Sequence, residues 1–267
     1  MITRAVTTWA TLGIFAFATG AMGLKRAHPV ALAAVPVRYV EGTVHGFLEL
    51  STGEGALLAH GDLLQIAKND GIASRMVFHL PNGSVFEESV SFTQQGVFAM
   101  QNYHLVQSGP AFEADLDATL SRSGAYTVKA RSHKDGKDRE FAGTLNLPTD
   151  TYNGMVGTIA KNISSRDKTT IHFVTFTPEP RVIALELSPT GTQHVNLGKH
   201  EETAVDFLIK PQLGFMLHLE AKIAGKLPAD SHVWIITDDV PAFVRSEGPM
   251  FSGPVWRLAL TSPRWPQ

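Results

Sequence analysis

The feature that most constrains the fold of this chain is a strict two-residue alternation of apolar and polar side chains. Between Leu213 and Ile223 every second residue is apolar, and the residues between them include His218, Glu220 and Lys222. Neighbouring side chains of a strand point to opposite faces of a sheet, whereas a helix would spread both sets around its circumference. The segment therefore predicts a half-buried β-strand.

The same alternation recurs in shorter stretches, and turn sequences lie between them. The stretches are Phe141/Leu145/Leu147, Ile183/Leu185/Leu187, Val205/Phe207/Ile209 and Trp256/Leu258/Leu260. The turn sequences are Asn69-Asp70-Gly71, Pro81-Asn82-Gly83, Asp135-Gly136 and Pro189-Thr190-Gly191, which can supply the positive φ of tight hairpins. Many short strands with frequent turns predict a mainly β fold built on an antiparallel sheet, open or partly closed.

One segment near residues 150–163 follows helical spacing instead and predicts a single short helix. Thr149 or Asp150 can cap it, and Tyr152, Met155, Val156, Ile159 and Ile163 recur at helical intervals. The helix divides the body into strand-rich halves, 36–147 and 165–261. A single domain over 34–267, with the helix against the concave face of one continuous sheet, is the simplest packing. Two small β domains joined by the helix are the alternative.

The first 33 residues have the pattern of an export segment. Arg4 precedes a stretch from Ala5 to Leu24 that carries no charged residue, which is typical of a secretory signal peptide. An uncleaved anchor is the alternative, since about 20 apolar residues span a bilayer. Either interpretation predicts a periplasmic or secreted body that contacts the membrane only through this segment.

Composition excludes several classes of function. The chain has no cysteine, which removes disulfides, thiolate nucleophiles, iron–sulfur clusters and thiolate zinc sites. Without its first 33 residues the chain keeps 20 basic and 25 acidic residues, and this acidic balance argues against a nucleic-acid partner.

Catalytic and metal-binding patterns are weak. His218 and Glu220 share one predicted strand face, but a metal site needs three or more converging ligands. Glu87-Glu88 and Asp238-Asp239 are sequence neighbours that point to opposite faces of a strand, so neither pair forms a carboxylate dyad. We therefore predict no catalytic residue, metal or cofactor. A hydrolase without a recognisable motif is the third possibility for function, after the two given below.

The C-terminal region resembles an uncharacterised family of exported bacterial β-rich proteins, a domain of unknown function. The resemblance rests on the run from His232 to Pro241, on Arg245 and on Gly253 to Leu260, with weaker support from Val37 to Leu50. It implies a large curved sheet, a half-barrel or open barrel similar to the periplasmic carriers of lipoproteins. No activity or functional residue is established for that family.

Four aromatic residues on apolar faces of C-terminal strands are the candidate ligand-binding residues: Trp234, Trp256, Phe215 and Phe207. They either fill the core or line a pocket beside the helix, where a curved sheet leaves its concavity open. We therefore predict a non-enzymatic protein that binds an apolar or amphipathic ligand such as a lipid. The alternative is a structural or partner-binding envelope protein, and the sequence does not identify a protein partner.

Overall fold

The computed structural model describes residues 34–176, 179–197, 200–212, 230–238, 240–250 and 254–261. The export segment predicted over residues 1–33 lies outside this range, and so does the strand predicted over Leu213–Ile223. No helix in the described residues is long and apolar enough to cross a membrane.

Fourteen strands and one helix are formed by the described residues. The strands of the first half are β1 Val44–Thr52, β2 Leu57–Lys68, β3 Gly71–His79, β4 Val85–Gln95, β5 Val97–Ser108, β6 Ala114–Ser121, β7 Ala125–Ser132 and β8 Asp138–Thr144. The helix α1 Val156–Asn162 follows, and then β9 Thr169–Phe176, β10 Pro180–Leu197, β11 His200–Gln212, β12 Ser231–Ile236, β13 Ala242–Pro249 and β14 Val255–Thr261.

All of these strands belong to one antiparallel sheet, as the alternation predicted. Strands β1 to β8 are neighbours in sequence order, as are β9 to β14, and the two halves join where β1 pairs with β14. The register of that junction places Leu50 opposite Leu258 and Thr52 opposite Trp256. The terminal strands β8 and β9 do not pair with each other, so the sheet is open.

The sheet curves so that strands near its two ends face each other across a shared interior. The ring of Tyr103 on β5 stacks on that of Phe176 on β9, with centroids 6.2 Å apart. The ring of Trp256 on β14 packs edge-on against Phe112, at 6.0 Å. One continuous apolar core contains buried residues of both halves and of the helix. This confirms the predicted curved, open sheet with one short helix.

The helix is shorter than the prediction of 150–163. Before the helix, Thr151 forms an isolated bridge with His172 of β9, and the amide of Tyr152 donates to the carbonyl of His172 at 3.0 Å. Gly154, at φ +69°, then turns the chain into α1. Neither Thr149 nor Asp150 caps the helix, because α1 begins only at Val156, and the Asp150 carboxylate instead lies 2.8 Å from Nδ1 of His172. The helix buries Ile159 in the core and packs against β12 and β13.

One predicted turn is a bulge instead. Pro189-Thr190-Gly191 lies inside the long strand β10, where the pairing register with β11 shifts between Pro189 and Gly191. Gly191 has φ +151°, which absorbs the extra residue without reversing the chain. The predicted turns at Gly83 and Gly136 do have positive φ. The turn between β2 and β3 ends at Gly71 without it.

Candidate functional site

A groove of about 760 Å³ lies on the outer face of the sheet, across β2 to β7. The antiparallel register aligns its lining residues in two rows, since directly paired residues share a face. The first row runs from Leu64 through Arg75, Ser89, His104 and Thr119 to Thr127. The second runs from Ile66 through Ala73, Ser91 and Asn102 to Ser121.

The groove lies on the face opposite to the core. Its floor is formed by Val90, Tyr103 and Leu120, whose side chains alternate with the two rows and are buried in the interior. Several outer-face side chains of the central strands are small, namely Ala73, Ser89 and Ser91. They leave a depression between the larger side chains around them. Such a volume falls within the range of small-molecule sites, about 300–1,000 Å³.

One end of the groove is apolar. Leu64 and Ile66 on β2 are 43% and 42% exposed, although both are large aliphatic residues. Phe47 on the adjacent strand β1 is 40% exposed on the same face, and its ring lies 4.8 Å from that of His45. Exposed apolar side chains that cluster beside a depression mark a surface suited to an apolar group.

Hydroxyl and amide groups make up much of the rest of the groove. The amide of Asn102 donates to Oγ of Ser91 at 3.2 Å, and the hydroxyls of Thr119 and Thr127 are 2.6 Å apart. The hydroxyl of Ser121 donates to the carbonyl of Ala125 at 3.3 Å. Each hydroxyl can both donate and accept, so these groups retain capacity for a ligand after their mutual bonds.

The two basic groups that line the groove are paired with carboxylates. Arg75 donates through Nε and Nη2 to the two carboxylate oxygens of Glu87, both at 2.7 Å. This hydrogen bonding holds the pKa of Glu87 below its usual range and raises that of Arg75. Nε2 of His104 lies 2.9 Å from Oδ1 of Asp117. The lining therefore presents little uncompensated charge.

A second depression, of about 360 Å³, continues the same face across β5 to β8. Its lining mixes charges of both signs: Asp115, Asp117, Lys129, Arg131, Asp138, Arg139 and Glu140. Cross-strand pairing places Asp117 opposite Lys129 and Lys129 opposite Glu140. This arrangement is that of a solvated charged surface, and it lacks the apolar end of the larger groove.

A carboxyl group lies beneath the groove, on the core face of β4. The hydroxyl of Tyr103 donates to Oε1 of Glu88 at 2.8 Å. Although Glu88 as a residue is half-buried, burial of its carboxyl raises its pKa above the usual value, which the bond from Tyr103 opposes. Burial, followed by the neighbouring Glu88, places the pKa of Tyr103 well above its ordinary value.

The raised pKa of Glu88 predicts a pH dependence of stability. The folded protein keeps the Glu88 proton to higher pH than the unfolded chain, so stability should fall as pH rises from about 4.3 through the raised pKa. Because Glu88→Gln stays uncharged, its melting temperature should exceed that of the parent protein by a few degrees at pH 7 and match it at pH 4.

Glu87→Gln is the matched control for this prediction, because Glu87 is the sequence neighbour of Glu88 and its pKa is lowered rather than raised. It should melt at or below the temperature of the parent protein at pH 7, because it loses the pair with Arg75. Thermal melts monitored by circular dichroism at the two pH values provide the measurement. Equal pH profiles for Glu88→Gln and the parent protein would contradict the burial of the Glu88 charge.

Of the four residues predicted from sequence as ligand-binding, the three that the structure describes lie in two separate clusters. Phe207 and Trp256 are buried in the main core. Trp234 belongs to a separate cluster with Ala204, Ile236 and Val244, on the opposite face of the C-terminal strands. Phe215 lies outside the described residues. The groove is not lined by Phe207, Trp234 or Trp256, and the side of α1 that faces the sheet packs into the core through Ile159 and Ala160.

Trp234 has a polar environment of its own. Its ring is 4% exposed, the guanidinium carbon of Arg245 lies 4.0 Å from the ring centroid, and the ring of His232 stacks on it at 5.5 Å. Nδ1 of His232 is in turn 2.9 Å from Oδ1 of Asp206. Among the residues that the structure describes, none accepts a hydrogen bond from Nε1 of Trp234. The guanidinium–indole contact is a cation–π interaction, which stabilises the outer face of β11 to β13.

Two buried aspartates orient histidines in the manner of acid–base catalysts. Asp150 contacts Nδ1 of His172, and Asp206 contacts Nδ1 of His232. In the described part of the chain, no hydroxyl nucleophile hydrogen-bonds the second ring nitrogen of either histidine. The same residues contain no group of three or more side chains arranged to hold a metal ion. The pair His218 and Glu220 lies outside them.

The comparisons with known proteins give no relative: no protein-family model, no curated protein and no solved structure matches this chain. The resemblance of the C-terminal region to an uncharacterised family of exported proteins therefore stays a prediction.

Proposed function

We propose that this protein is a non-enzymatic binding protein that holds an amphipathic ligand, such as a lipid, in the groove across β2 to β7. The observation that carries the proposal is the change from apolar to polar lining along the groove. Exposed Leu64 and Ile66 form one end, and the remainder carries hydroxyl and amide groups together with Arg75 and His104, which are paired with carboxylates. An apolar chain would cover the aliphatic end, and a polar head would hydrogen-bond to the hydroxyls.

We further propose that the protein acts outside the cytoplasm, in the periplasm or after secretion. The support is the N-terminal sequence, in which Arg4 precedes an uncharged stretch. An amphipathic ligand is consistent with such a setting, because the envelope is where apolar chains must cross water between membranes.

Calorimetric titration of the protein with dodecyl maltoside, below its micelle-forming concentration, tests the proposed function. We expect saturable binding with one site per chain. Replacing both Leu64 and Ile66 by Asn should weaken the affinity at least about tenfold, because the contact area of the alkyl chain contributes about 25 cal/mol per Å². Both residues are exposed, so the fold should tolerate the change.

Leu57→Asn is the matched control, because Leu57 is 56% exposed on the same strand but outside the groove. It should bind as the parent protein does. No binding of the alkyl ligand, or equal loss in both variants, would contradict the proposal and favour a protein that works through contacts with a partner.

A further inference from the structure

The charge pattern of the groove narrows the chemistry of its ligand. Of the described residues that line it, the basic ones are Arg75 and His104, and no lining residue is acidic. Both basic groups are held by carboxylates at the groove margin, Glu87 and Asp117. An anionic head group would have to compete with these carboxylates, and a cationic one would meet no free acid within the groove.

The remaining polar groups suit a head that both donates and accepts hydrogen bonds. In the two outer-face rows of the groove, five side chains carry a hydroxyl and one carries an amide: Ser89, Ser91, Thr119, Ser121, Thr127 and Asn102. A carboxylate or phosphate only accepts, and an ammonium only donates. A head group with several hydroxyls does both, as the lining does, and it brings no charge that must be desolvated.

We infer that the ligand is a neutral glycolipid-type amphiphile, with a polyhydroxylated head against the hydroxyl rows and an alkyl chain against Leu64 and Ile66. This inference rests on the proposed function, because it assigns the ligand class of the same groove. The groove therefore disfavours anionic head groups, because the guanidinium of Arg75 already donates to Glu87 through two hydrogen bonds of 2.7 Å.

Three amphiphiles of twelve carbons in the tail test the inference by calorimetric titration at pH 7.4: dodecyl maltoside, laurate (whose twelfth carbon is the carboxylate) and dodecylammonium. We expect the neutral glycoside to bind at least about tenfold more tightly than either charged ligand, because only the glycoside matches the uncharged lining. Glu87→Gln should then raise the affinity for laurate about fivefold, because it frees the fork of Arg75 for a carboxylate. The same variant should change glycoside binding less than it changes laurate binding, because the glycoside carries no charge that a free guanidinium would attract.

Glu186→Gln is the matched control. It makes the same change of charge and frees Lys168 from a pair at 2.8 Å, on β10 and away from the groove. Laurate binding should not respond to it. If Glu87→Gln is poorly folded, Asp117→Asn replaces it: this variant removes the other carboxylate at the groove margin and should also raise the affinity for laurate, because repulsion of the anionic head falls.

Each outcome separates the ligand class from the proposed function. Equal affinities for the three head groups, or no gain of laurate binding in Glu87→Gln, would overturn the glycolipid inference while leaving an amphiphile-binding groove. Binding of none of the three would overturn both.

Discussion

Replacing Asn153 by Ala is expected to lower the free energy of unfolding by about 4 kcal/mol. The buried amide of Asn153 donates to the carbonyl of Val174 and accepts from its amide, both at 2.8 Å. Its removal leaves two buried backbone groups of β9 without partners, at a cost of about 1–3 kcal/mol each. Urea denaturation followed by circular dichroism measures the change.

The effect should be specific to the contact between the two ends of the sheet. Asn153 lies beside Tyr103, whose ring stacks on Phe176, so it links β5 to β9 through one side chain. Asn196→Ala, at an exposed position of β10, is the matched control and should stay within about 0.5 kcal/mol of the parent protein. Similar losses in the two variants would mean that Asn153 does not hold the sheet ends together.

The class of fold was predictable because the alternation of apolar and polar residues can be read within each strand, without knowledge of its partners. Val205, Phe207 and Ile209 do face the core, as their spacing predicted, and so do Trp256 and Leu258. The pairing of β1 with β14 was not predictable, because strands more than 200 residues apart in sequence carry no shared pattern. The bulge at Gly191 imitates a hairpin turn in sequence, since both use a glycine with positive φ.

The groove could not be predicted for a related reason. Alternation in β4 and β5 already places Ser89, Ser91 and Asn102 on the face away from the core. The depression forms because five strands, β3 to β7, bring small, amide- or hydroxyl-bearing residues into register beside Leu64 and Ile66 of β2, and register depends on turns and long-range pairing. The sequence analysis chose aromatic residues as ligand-binding candidates instead, because they lie on apolar faces of strands. A tryptophan in such a position is usually buried in the core.

The segment that precedes β1 depends on a buried ion pair with the helix. Nζ of Lys161 on α1 contacts Oε1 of Glu41 at 2.5 Å, and their side chains are only 17% and 8% exposed. The amide of Gln65 on β2 also donates to Glu41, at 3.1 Å. The Glu41 carboxylate therefore joins α1 to the N-terminal half of the sheet.

Lys161→Met is expected to cost about 3 kcal/mol, because it leaves the Glu41 carboxylate buried without its counter-charge. The double variant Glu41→Gln/Lys161→Met should recover most of that loss, since a neutral amide beside methionine carries no unpaired charge. Lys168→Met removes an exposed lysine from its pair with Glu186 and should change the stability by less than about 1 kcal/mol. Urea denaturation of the three variants gives the comparison. If the double variant were as unstable as Lys161→Met, the loss would come from packing of the lysine stem rather than from the buried charge.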